Sequence, residues 1–482
     1  MANAVAELVF IPAPGVGHIM STIEMAKVLV NRDQRLSISV LLISPPYSIL
    51  PLATYIESLA KNTTERIRFI ELPHDQKTPK LDPKAFVTSF YEFINSHCTS
   101  VRNTVAHMIN DQTGSSRVVG FVVDIICIGM IDVANEFNVP TYVFLTANSA
   151  FLGFNLYIET LFVEQNQDVI KLSYNSEGEM DVPCFVNPVP MKVVQTLCQV
   201  DEGLDMLVYC FRELRKAKGI MVNTFLELET HAIKSFPDSN FPPVYPVGPI
   251  LNLDGVVEKA DDRDVLSWLD GQPPSSVVLL CFGSMGSFNE VQVKEIARGL
   301  ERSGHRFVWS LRLPPPPEES LEVHCDDPRV LLPDGFLERT KGIGKVIGWA
   351  PQVSLLAHEA VGGFVSHCGW NSMLESLWFG VPTATWPMYA EQQMNAFEMV
   401  VELGLAVDLK MDYKIELFNP DANIEIVTAE EIERGVKRLM EDNEIRAKVK
   451  EMSKMSRATV AEGGSSYASV GYLVQEIMSN II

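Results

Sequence analysis

Short apolar runs alternate with segments of helical periodicity through the first half of the chain. Residues 8–12 form a run of strand length. The apolar positions that follow it recur at the spacing of one helix face, at Ile19, Ile23, Ala26 and Val30. Further strand-like runs cover residues 36–44, 67–72, 118–123, 141–145 and 219–223. This alternation predicts a parallel sheet that is covered by helices on both faces.

The same pattern starts again in the second half. Strand-like runs cover residues 277–282, 307–311, 346–349, 363–366 and 383–386, and a helix is predicted near residues 290–302. Three more helices are predicted near residues 429–442, 444–461 and 465–478. The proline-rich segment 313–319 interrupts the pattern and is best explained as a stiff surface loop. The second half therefore predicts a second parallel sheet.

Two Rossmann-like α/β domains follow from this repetition, one over residues 1–247 and one over residues 265–463. Residues 248–264 are polar, contain glycine and lack periodicity, so they are interpreted as a linker. Residues 464–482 form a C-terminal helix that we expect to pack back on the N-terminal domain. Ligands of open α/β sheets bind beyond the carboxyl ends of the strands, so the cleft between the domains is the expected site.

The chain carries a formal net charge of −22, which excludes non-specific binding to nucleic acid or to an anionic membrane. An anionic ligand must therefore find its positive potential locally, and helix N-termini can supply that potential without lysine or arginine. Eight cysteines are scattered without a C-x-x-C pair, which favours free buried thiols and no zinc site. No apolar run reaches the length of a membrane helix and the N-terminus lacks a basic signal region, so we expect a cytoplasmic protein.

Two candidate catalytic side chains follow predicted strands of the first half. His18 comes after the glycine turn Gly15–Gly17, and Asp124 ends the run at residues 118–123. The turn is not a dinucleotide fingerprint, because Met20 occupies the position of its third glycine. A neutral imidazole suits proton abstraction near pH 7, and a carboxylate on its other nitrogen would fix the tautomer. From the residues alone a structural role is the commoner one for such a histidine, and a strand-end aspartate is often a helix cap.

A second group of polar residues lies where the segment SHCGWNSMLES follows a strand and opens a helix. His367, Gly369, Asn371 and Ser372 surround the free N–H groups of that helix, which predicts an anion cradle without basic side chains. Spacing alone leaves alternatives open. Ser372 and Glu375 also form the S-x-x-E pattern of a capping box. A lone tryptophan such as Trp349 is often core packing, and a Glu-Gln pair is often a solvated helix end.

Residues 349–392 contain W-A-P-Q, H-C-G-W-N-S, a glutamate three residues after that serine, G-V-P and a closing E-Q. This stretch closely resembles the signature box of plant family-1 UDP-glycosyltransferases. The motifs PAPGVGH, CFGSMGS and GGSS agree, so the resemblance covers essentially the whole chain. It implies the glycosyltransferase-B fold, with an acceptor-binding N-terminal domain and a UDP-sugar-binding C-terminal domain. It also implies that glucose is transferred from UDP-glucose with inversion at the anomeric carbon. It further implies that the enzyme needs neither a cofactor nor a metal ion.

The resemblance assigns roles to individual positions. His18 and Asp124 correspond to the catalytic pair. The positions that correspond to UDP contacts are Ser284, Trp349, Ala350, Gln352, His367, Gly369, Asn371, Ser372 and Glu375. Among these, Trp349 would stack on uracil, Glu375 would bind the ribose hydroxyls, and Asn371 and Ser372 would contact phosphate. The positions that correspond to sugar contacts are Thr146, Trp370 through its side chain or backbone, Glu391 and Gln392. In this family Gln at the last position goes with glucose donors.

The acceptor is the least defined part of the prediction. Its pocket is expected from apolar and aromatic segments, namely Ile19, residues 86–93, residues 125–128, Phe151 and residues 180–200. These segments suggest a flat phenolic or terpenoid acceptor. The local sequence motifs are most similar to those of the subgroup that glucosylates flavonoids and phenylpropanoids. The expected partners are thus a UDP-sugar and a small hydrophobic acceptor. The protein itself is expected to be a monomer. Three alternatives stay open: another acceptor atom or donor, a nucleotide-dependent dehydrogenase, and a non-catalytic sugar-nucleotide binder.

Overall fold

The computed structural model describes residues 5–44, 64–73, 79, 81–82, 85–110, 116–167, 169, 178–236, 241–253, 260–313, 328–415 and 425–480. In these residues the chain forms two parallel sheets, one in each half, and one short antiparallel hairpin. Residues 314–319 of the predicted proline-rich loop and Cys325 lie outside the described part.

The N-terminal half is built on a parallel sheet of seven strands in the described part of the chain. In chain order its strands, with the hairpin strands β6 and β7 between them, are β1 Val5–Ile11, β2 Leu36–Leu42, β3 Ile67–Glu71, β4 Ser116–Asp124, β5 Thr141–Leu145, β6 Glu179–Met180, β7 Val189–Pro190, β8 Gly219–Val222 and β9 Val244–Pro246. The strand order in the sheet is β3-β2-β1-β4-β5-β8-β9. The helices of this half are α1 Val16–Arg32, α2 Phe86–Ser96, α3 Cys98–Asn110, α4 Met130–Glu136, α5 Ser149–Val163, α6 Asp201–Glu213 and α7 Thr230–Lys234.

The C-terminal half contains the second parallel sheet, in the order β12-β11-β10-β13-β14-β15. Its strands are β10 Val277–Cys281, β11 Arg306–Ser310, β12 Gly344–Ile347, β13 Val361–Ser366, β14 Thr383–Thr385 and β15 Ala406–Asp408. The helices are α8 Ala260–Asp270, α9 Glu290–Ser303, α10 Phe336–Thr340, α11 Gln352–Ala357, α12 Trp370–Phe379, α13 Gln392–Phe397, α14 Ala429–Glu441, α15 Asn443–Val460 and α16 Ser465–Ser479.

Both faces of the N-terminal sheet are buried, as expected for a parallel sheet between helices. Along β1, Leu8 and Phe10 belong to one apolar cluster, and Val9 and Ile11 belong to the cluster on the opposite face. Helix α16 joins the first of these clusters through Val470, Leu473, Val474 and Ile477. The last helix of the chain therefore packs against the N-terminal sheet and α1, and it crosses back from the C-terminal half.

The predicted α/β class with two parallel sheets is confirmed. The predicted strands are present, and their ends differ from the observed ones by at most three residues. Two edge strands, β9 and β15, were not predicted, because three residues are too short to give a periodic signal. Helix α8 begins at Ala260, so the last part of the predicted linker 248–264 is helical.

The two halves also meet through a buried cluster of polar side chains. Asn148, which caps α5, donates through Nδ2 to Asn395 Oδ1 at 2.9 Å and to Glu398 Oε2 at 2.5 Å. The Glu229 carboxylate accepts from the backbone N–H of Ser149 at 3.0 Å and of Ala150 at 2.7 Å. Both glutamates are only 3% exposed. Two carboxyl groups therefore lie side by side in the interface, each anchored at the start of the same helix.

Candidate active site

A cavity of about 800 Å³ lies between the two halves of the chain. It is lined by the first turn of α1, the loop after β5 and helix α6 on one side. On the other side it is lined by the loops after β10, β11 and β12 and by the N-terminus of α12. These loops all lie at the carboxyl ends of parallel strands, where ligands of such sheets bind. Every residue predicted for catalysis, UDP binding or sugar binding lines this cavity except Asp124, which is hydrogen-bonded to His18.

His18 and Asp124 meet at the carboxyl ends of adjacent strands. Strand β1 pairs in parallel with β4, and Ile11 lies opposite Val123, so both strands deliver their next residues to one edge. Helix α1 begins at Val16, which places His18 on its first turn. The Nδ1 atom of His18 lies 2.7 Å from Oδ2 of Asp124. A carboxylate can only accept, so Nδ1 carries the proton and Nε2 is the basic nitrogen.

Asp124 uses its two carboxylate oxygens for different tasks. Oδ2 binds His18, and Oδ1 accepts from the backbone N–H of Ile126 at 2.9 Å. The second bond caps the short 3-10 helix Ile125–Cys127. The cap role and the histidine partner, which were alternatives from the sequence, are therefore both present. The cap also fixes the carboxylate, and the carboxylate in turn orients the imidazole.

Electrostatic interactions at His18 favour the imidazolium form, in which both ring nitrogens carry a proton. Burial lowers the pKa of His18, but the attraction of Asp124, its hydrogen bond and the more distant Glu391 outweigh burial, so the pKa is raised. The side chain of His18 is 34% exposed, whereas that of Asp124 is fully buried. Thr146, predicted as a sugar contact, places Oγ1 3.1 Å from Nδ1 of His18. Its hydroxyl therefore belongs to the surroundings of the base as well as to the cavity wall.

The N-terminus of α12 opens into the other end of the cavity. Its N-cap is Gly369, which has no side chain to cap the helix, so the first N–H groups are left for a ligand. Ser372 consequently lies inside the first turn, and the capping-box interpretation of Ser372 and Glu375 is wrong. Instead, Gln352 Nε2 donates to Ser372 Oγ at 2.9 Å and to Glu375 Oε2 at 2.7 Å.

Glu375 has the most perturbed carboxyl group of the donor end. Burial raises its pKa to about 7, although the hydrogen bond from Gln352 acts in the opposite direction. Trp349 lies at the same end of the cavity with 42% of its surface exposed. It is therefore not a core tryptophan, and one ring face is available for stacking. Ala350 is buried beside it and lines the cavity.

His367 is buried between two glycines. A Cβ atom at Gly369 would lie 2.6 Å from Nε2 of His367, and a Cβ atom at Gly283 would come even closer to the same atom. Burial, and then the charge of Arg312, lower the pKa of His367 to about 4. Its imidazole is therefore neutral at pH 7. It can contribute a hydrogen bond to an anion but no full positive charge.

Two residues of the signature box contact the N-terminal half. The amide of Asn371 donates to the backbone oxygen of Gly17 at 3.3 Å and accepts from Ser21 Oγ at 3.2 Å. Trp370 is 2% exposed and donates through Nε1 to the backbone oxygen of Asn223 at 2.7 Å. The Trp370 indole N–H is thus occupied, which leaves its backbone N–H, at the first position of α12, for a sugar contact.

Glu391 and Gln392 form the start of α13. Gln392 Oε1 accepts from the backbone N–H of Met388 at 2.9 Å and of Tyr389 at 3.1 Å. Its oxygen is therefore committed, and only its amide N–H groups remain to serve a sugar hydroxyl. Burial raises the pKa of Glu391, and the nearby His18 partly opposes this effect. Glu391 and His18 thus line the same cavity and are close enough for their charges to interact.

The acceptor end of the cavity is mostly apolar. The predicted segments contribute Tyr91, Ile125, Ile126, Phe151, Gln195 and Leu197. Helix α6, which the prediction omitted, adds Met206, Leu207, Cys210 and Phe211. Ile19 does not line the cavity, and this part of the prediction is wrong. It points to the opposite side of α1 and packs in the cluster with α16, because a helix turns by about 100° between His18 and Ile19.

Sequence reasoning missed Arg312 completely. It follows β11 and lines the cavity, so the described residues around the predicted cradle include one basic side chain that the prediction omitted. The guanidinium donates to the backbone oxygens of Gly283 and Ser284 and, at 2.9 Å, to that of Gly286. The position after a strand was its only sequence signal, and that signal is shared by many arginines.

Metal-binding clusters and membrane-spanning helices are both absent from the described residues. Among the described residues, no group of three or more histidine, cysteine, aspartate or glutamate side chains is placed to hold a metal ion. Within the same residues, no helix has the length and apolar character that would let it cross a bilayer. The seven described cysteines are all free.

Known proteins with this architecture are similar over the full chain. A family model described as UDP-glucoronosyl and UDP-glucosyl transferase matches residues 48–459. UDP-glycosyltransferase 101 of Panax ginseng is 51% identical over 98% of this chain and 99% of its own length. UDP-glucose flavonoid 3-O-glucosyltransferase 6 of Fragaria ananassa is 49% identical over the same shares.

A solved structure gives the same result. The crystal structure of Medicago truncatula UGT71G1 complexed with UDP-glucose is 41% identical, with a TM-score of 0.86 over 99% of each chain. The match to the family and the shared fold exclude the dehydrogenase alternative. The chain belongs to the plant family-1 UDP-glycosyltransferases, and it is a glycosyltransferase with the glycosyltransferase-B fold.

Proposed function

We propose that this enzyme transfers glucose from UDP-glucose to a hydroxyl group of a small hydrophobic acceptor, with inversion at the anomeric carbon. The observation that carries the proposal is the His18–Asp124 pair, whose Nδ1–Oδ2 distance is 2.7 Å and whose histidine lines the cavity. The Fragaria relative, named for a flavonoid acceptor, and the Medicago structure with UDP-glucose support the choice of substrates.

The donor would occupy the end of the cavity that is formed by the C-terminal half. Trp349 offers an exposed ring face for uracil, and the Gln352–Glu375 pair offers hydrogen-bond groups for the ribose. The N-terminus of α12, beginning after Gly369, would receive the diphosphate, because its N–H groups and helix dipole favour an anion. Glu391 and the amide of Gln392 would hold the sugar hydroxyls.

The reaction then needs one proton transfer and one displacement. His18 Nε2 takes the proton of the acceptor hydroxyl, and Asp124 stabilises the imidazolium that forms. The acceptor oxygen forms a bond to the anomeric carbon while the bond from that carbon to the UDP oxygen breaks. UDP leaves with the bonding electrons, and attack from the face opposite UDP inverts the anomeric configuration. No covalent glycosyl-enzyme intermediate is required.

The acceptor end supports a flat, largely apolar molecule. Its walls are aromatic, aliphatic and sulphur-containing, and they include Phe151, Phe211 and Met206. Flavonoids, phenylpropanoids, other phenols and terpenoids fit this chemistry. We further propose that the enzyme acts as a cytoplasmic monomer and needs no metal ion.

The test compares wild type with His18→Ala, in the presence of EDTA, with UDP-glucose and a panel of phenolic acceptors. The wild type should add one hexose per acceptor and give the β-anomer in the product. The variant should lose activity by about 100-fold or more and still bind UDP. His358→Ala is the matched control, because His358 lies outside the cavity and contacts Asp270. Near-full activity of His18→Ala would contradict the assigned base.

A further inference from the structure

Arg312 is the only lysine or arginine among the described residues that line the cavity. Two carboxylates, Glu375 and Glu391, line the same cavity. In the described part of the chain no aspartate or glutamate forms an ion pair with Arg312, and burial lowers the pKa of its guanidinium. A desolvated arginine without a carboxylate partner is costly unless another anion is present. The cavity therefore holds a guanidinium group with which no carboxylate of the described residues pairs directly.

The contacts of Arg312 determine the conformation of one turn. Its guanidinium donates to the carbonyls of Gly283, Ser284 and Gly286, which belong to the turn after β10. The C=O and N–H of a trans peptide point in opposite directions, so the N–H groups of Ser284 and Met285 point away from Arg312. Neither N–H group has a backbone acceptor in the described chain. Successive free N–H groups of this kind form an anion-binding site.

The position of Arg312 in the cavity also matters. Its guanidinium carbon lies 5.7 Å from the ring centroid of Trp349, the proposed uracil platform. The turn that Arg312 holds is adjacent to His367, which would contact a Cβ atom at Gly283. His367 is neutral, since burial and Arg312 lower its pKa to about 4. The charge between the uracil platform and the helix N-terminus therefore comes from Arg312.

We propose that Arg312 is a positioning residue for the nucleotide donor. It orders the turn 283–286 so that its N–H groups face the diphosphate, and its own charge offsets part of the negative charge of that group. This inference rests on the proposed function, because it assumes that a nucleoside diphosphate occupies the cavity. It also explains how a chain with a net charge of −22 can hold such a ligand.

The experiment measures the affinities of UDP and of uridine by calorimetry for wild type, Arg312→Lys and Arg312→Gln. With Arg312→Gln, UDP affinity should fall by about tenfold or more, because a charge-assisted contact is lost. Uridine affinity should change by less than about threefold, since uridine carries no diphosphate. Arg312→Lys keeps the charge and should recover part of the UDP affinity, although lysine cannot bind three carbonyls at once.

Arg339→Gln is the matched control, because Arg339 is an exposed arginine of the same half that pairs with Glu301 at 2.5 Å. It should leave both affinities unchanged. An equal loss of UDP and uridine affinity in Arg312→Gln would overturn the inference and assign Arg312 a scaffold role only. Unchanged UDP affinity would overturn it as well. If wild type itself failed to bind UDP, the proposed function would fail, and this result is separate from any difference between variants.

Discussion

The imidazole of His18 and the carboxylate of Asp124 form a hydrogen bond of 2.7 Å although 106 residues separate them in the sequence. The bond is possible because β1 and β4 are neighbours in a parallel sheet and end at the same edge. The second oxygen of Asp124 is held by the N–H of Ile126. The orientation of the base is therefore set by the backbone of the sheet and of the loop that follows it.

Replacement of Asp124 by Asn should lower kcat by about 100-fold or more, because the imidazolium loses its counter-charge and the tautomer is no longer fixed. Asp124 is also a cause of the raised pKa of His18. The acid limb of the kcat/KM profile should therefore lie above the ordinary histidine value of 6.5 in wild type and move to lower pH in the variant. A pH series of initial rates measures both effects. An unmoved acid limb would contradict the assignment of that limb to His18.

Glu375 should make nucleoside binding dependent on pH. Its pKa is about 7, so the carboxylate that accepts ribose hydroxyls is lost as pH falls below that value. Uridine affinity should decrease by about tenfold toward pH 5.5 in wild type. Glu375→Gln should bind uridine weakly at every pH. Calorimetry with 2′,3′-dideoxyuridine is the control, since that ligand has no ribose hydroxyls and should show no such pH dependence.

The buried pair Glu229–Glu398 should make folding stability fall as pH rises. Burial, the charge of Glu229 and a hydrogen bond with it raise the pKa of Glu398 well above its ordinary value of 4.5. The folded state therefore retains a proton that the unfolded state releases above that value. The contribution of this proton to the free energy of unfolding is fully present below pH 4.5. Above that pH it decreases by about 1.4 kcal/mol per pH unit until the pKa of the folded state is reached.

Glu398→Gln removes this proton and keeps an N–H donor for Glu229. Urea unfolding between about pH 5 and pH 8 should show a flatter stability profile for the variant than for wild type. Glu290→Gln removes a glutamate from the surface, where it pairs with Lys294, and should give a profile parallel to that of wild type. Parallel profiles for Glu398→Gln and wild type would disprove that the folded state retains a proton on Glu398.

Gly283→Ala should damage the donor site. The φ angle of Gly283 is +72°, and an added Cβ atom would clash with the ring of His367. We expect a loss of about 2 to 4 kcal/mol in the free energy of unfolding, from backbone strain and overpacking together. Gly304→Ala is matched to it, because its φ angle is +70° and no atom lies within 4 Å of the added Cβ. That variant should lose only about 1 to 2 kcal/mol. Chemical denaturation of both variants separates the clash from the strain.

The sequence by itself determined most of the strands, several of the helices and the identity of the family. Apolar runs of strand length are local, and their alternation with helical periodicity predicts parallel sheets without any knowledge of contacts. The box at residues 349–392 and the glycine turn before His18 identified the candidate site for the same reason. Each of these motifs is a contiguous stretch whose order along the chain carries the information.

Only the tertiary structure decided how each side chain is used. Ser372 and Glu375 fit a capping box by spacing, yet α12 starts at Trp370. Both side chains instead accept a hydrogen bond from the amide of Gln352. Asn371 and Trp370 lie inside a donor motif, yet they bond to Gly17 and Asn223 of the other half. Sequence patterns locate the start of a helix only to within a few residues, so spacing alone does not fix which atom faces a ligand.

The buried ionisable groups outside the predicted site were also invisible in the sequence. Arg312 follows an ordinary strand, and Glu229 and Glu398 are isolated glutamates in different halves of the chain. Their importance comes from burial and from neighbours that are distant in sequence. The free energy of a charge depends on the solvent and the partners around it, and the fold alone determines both.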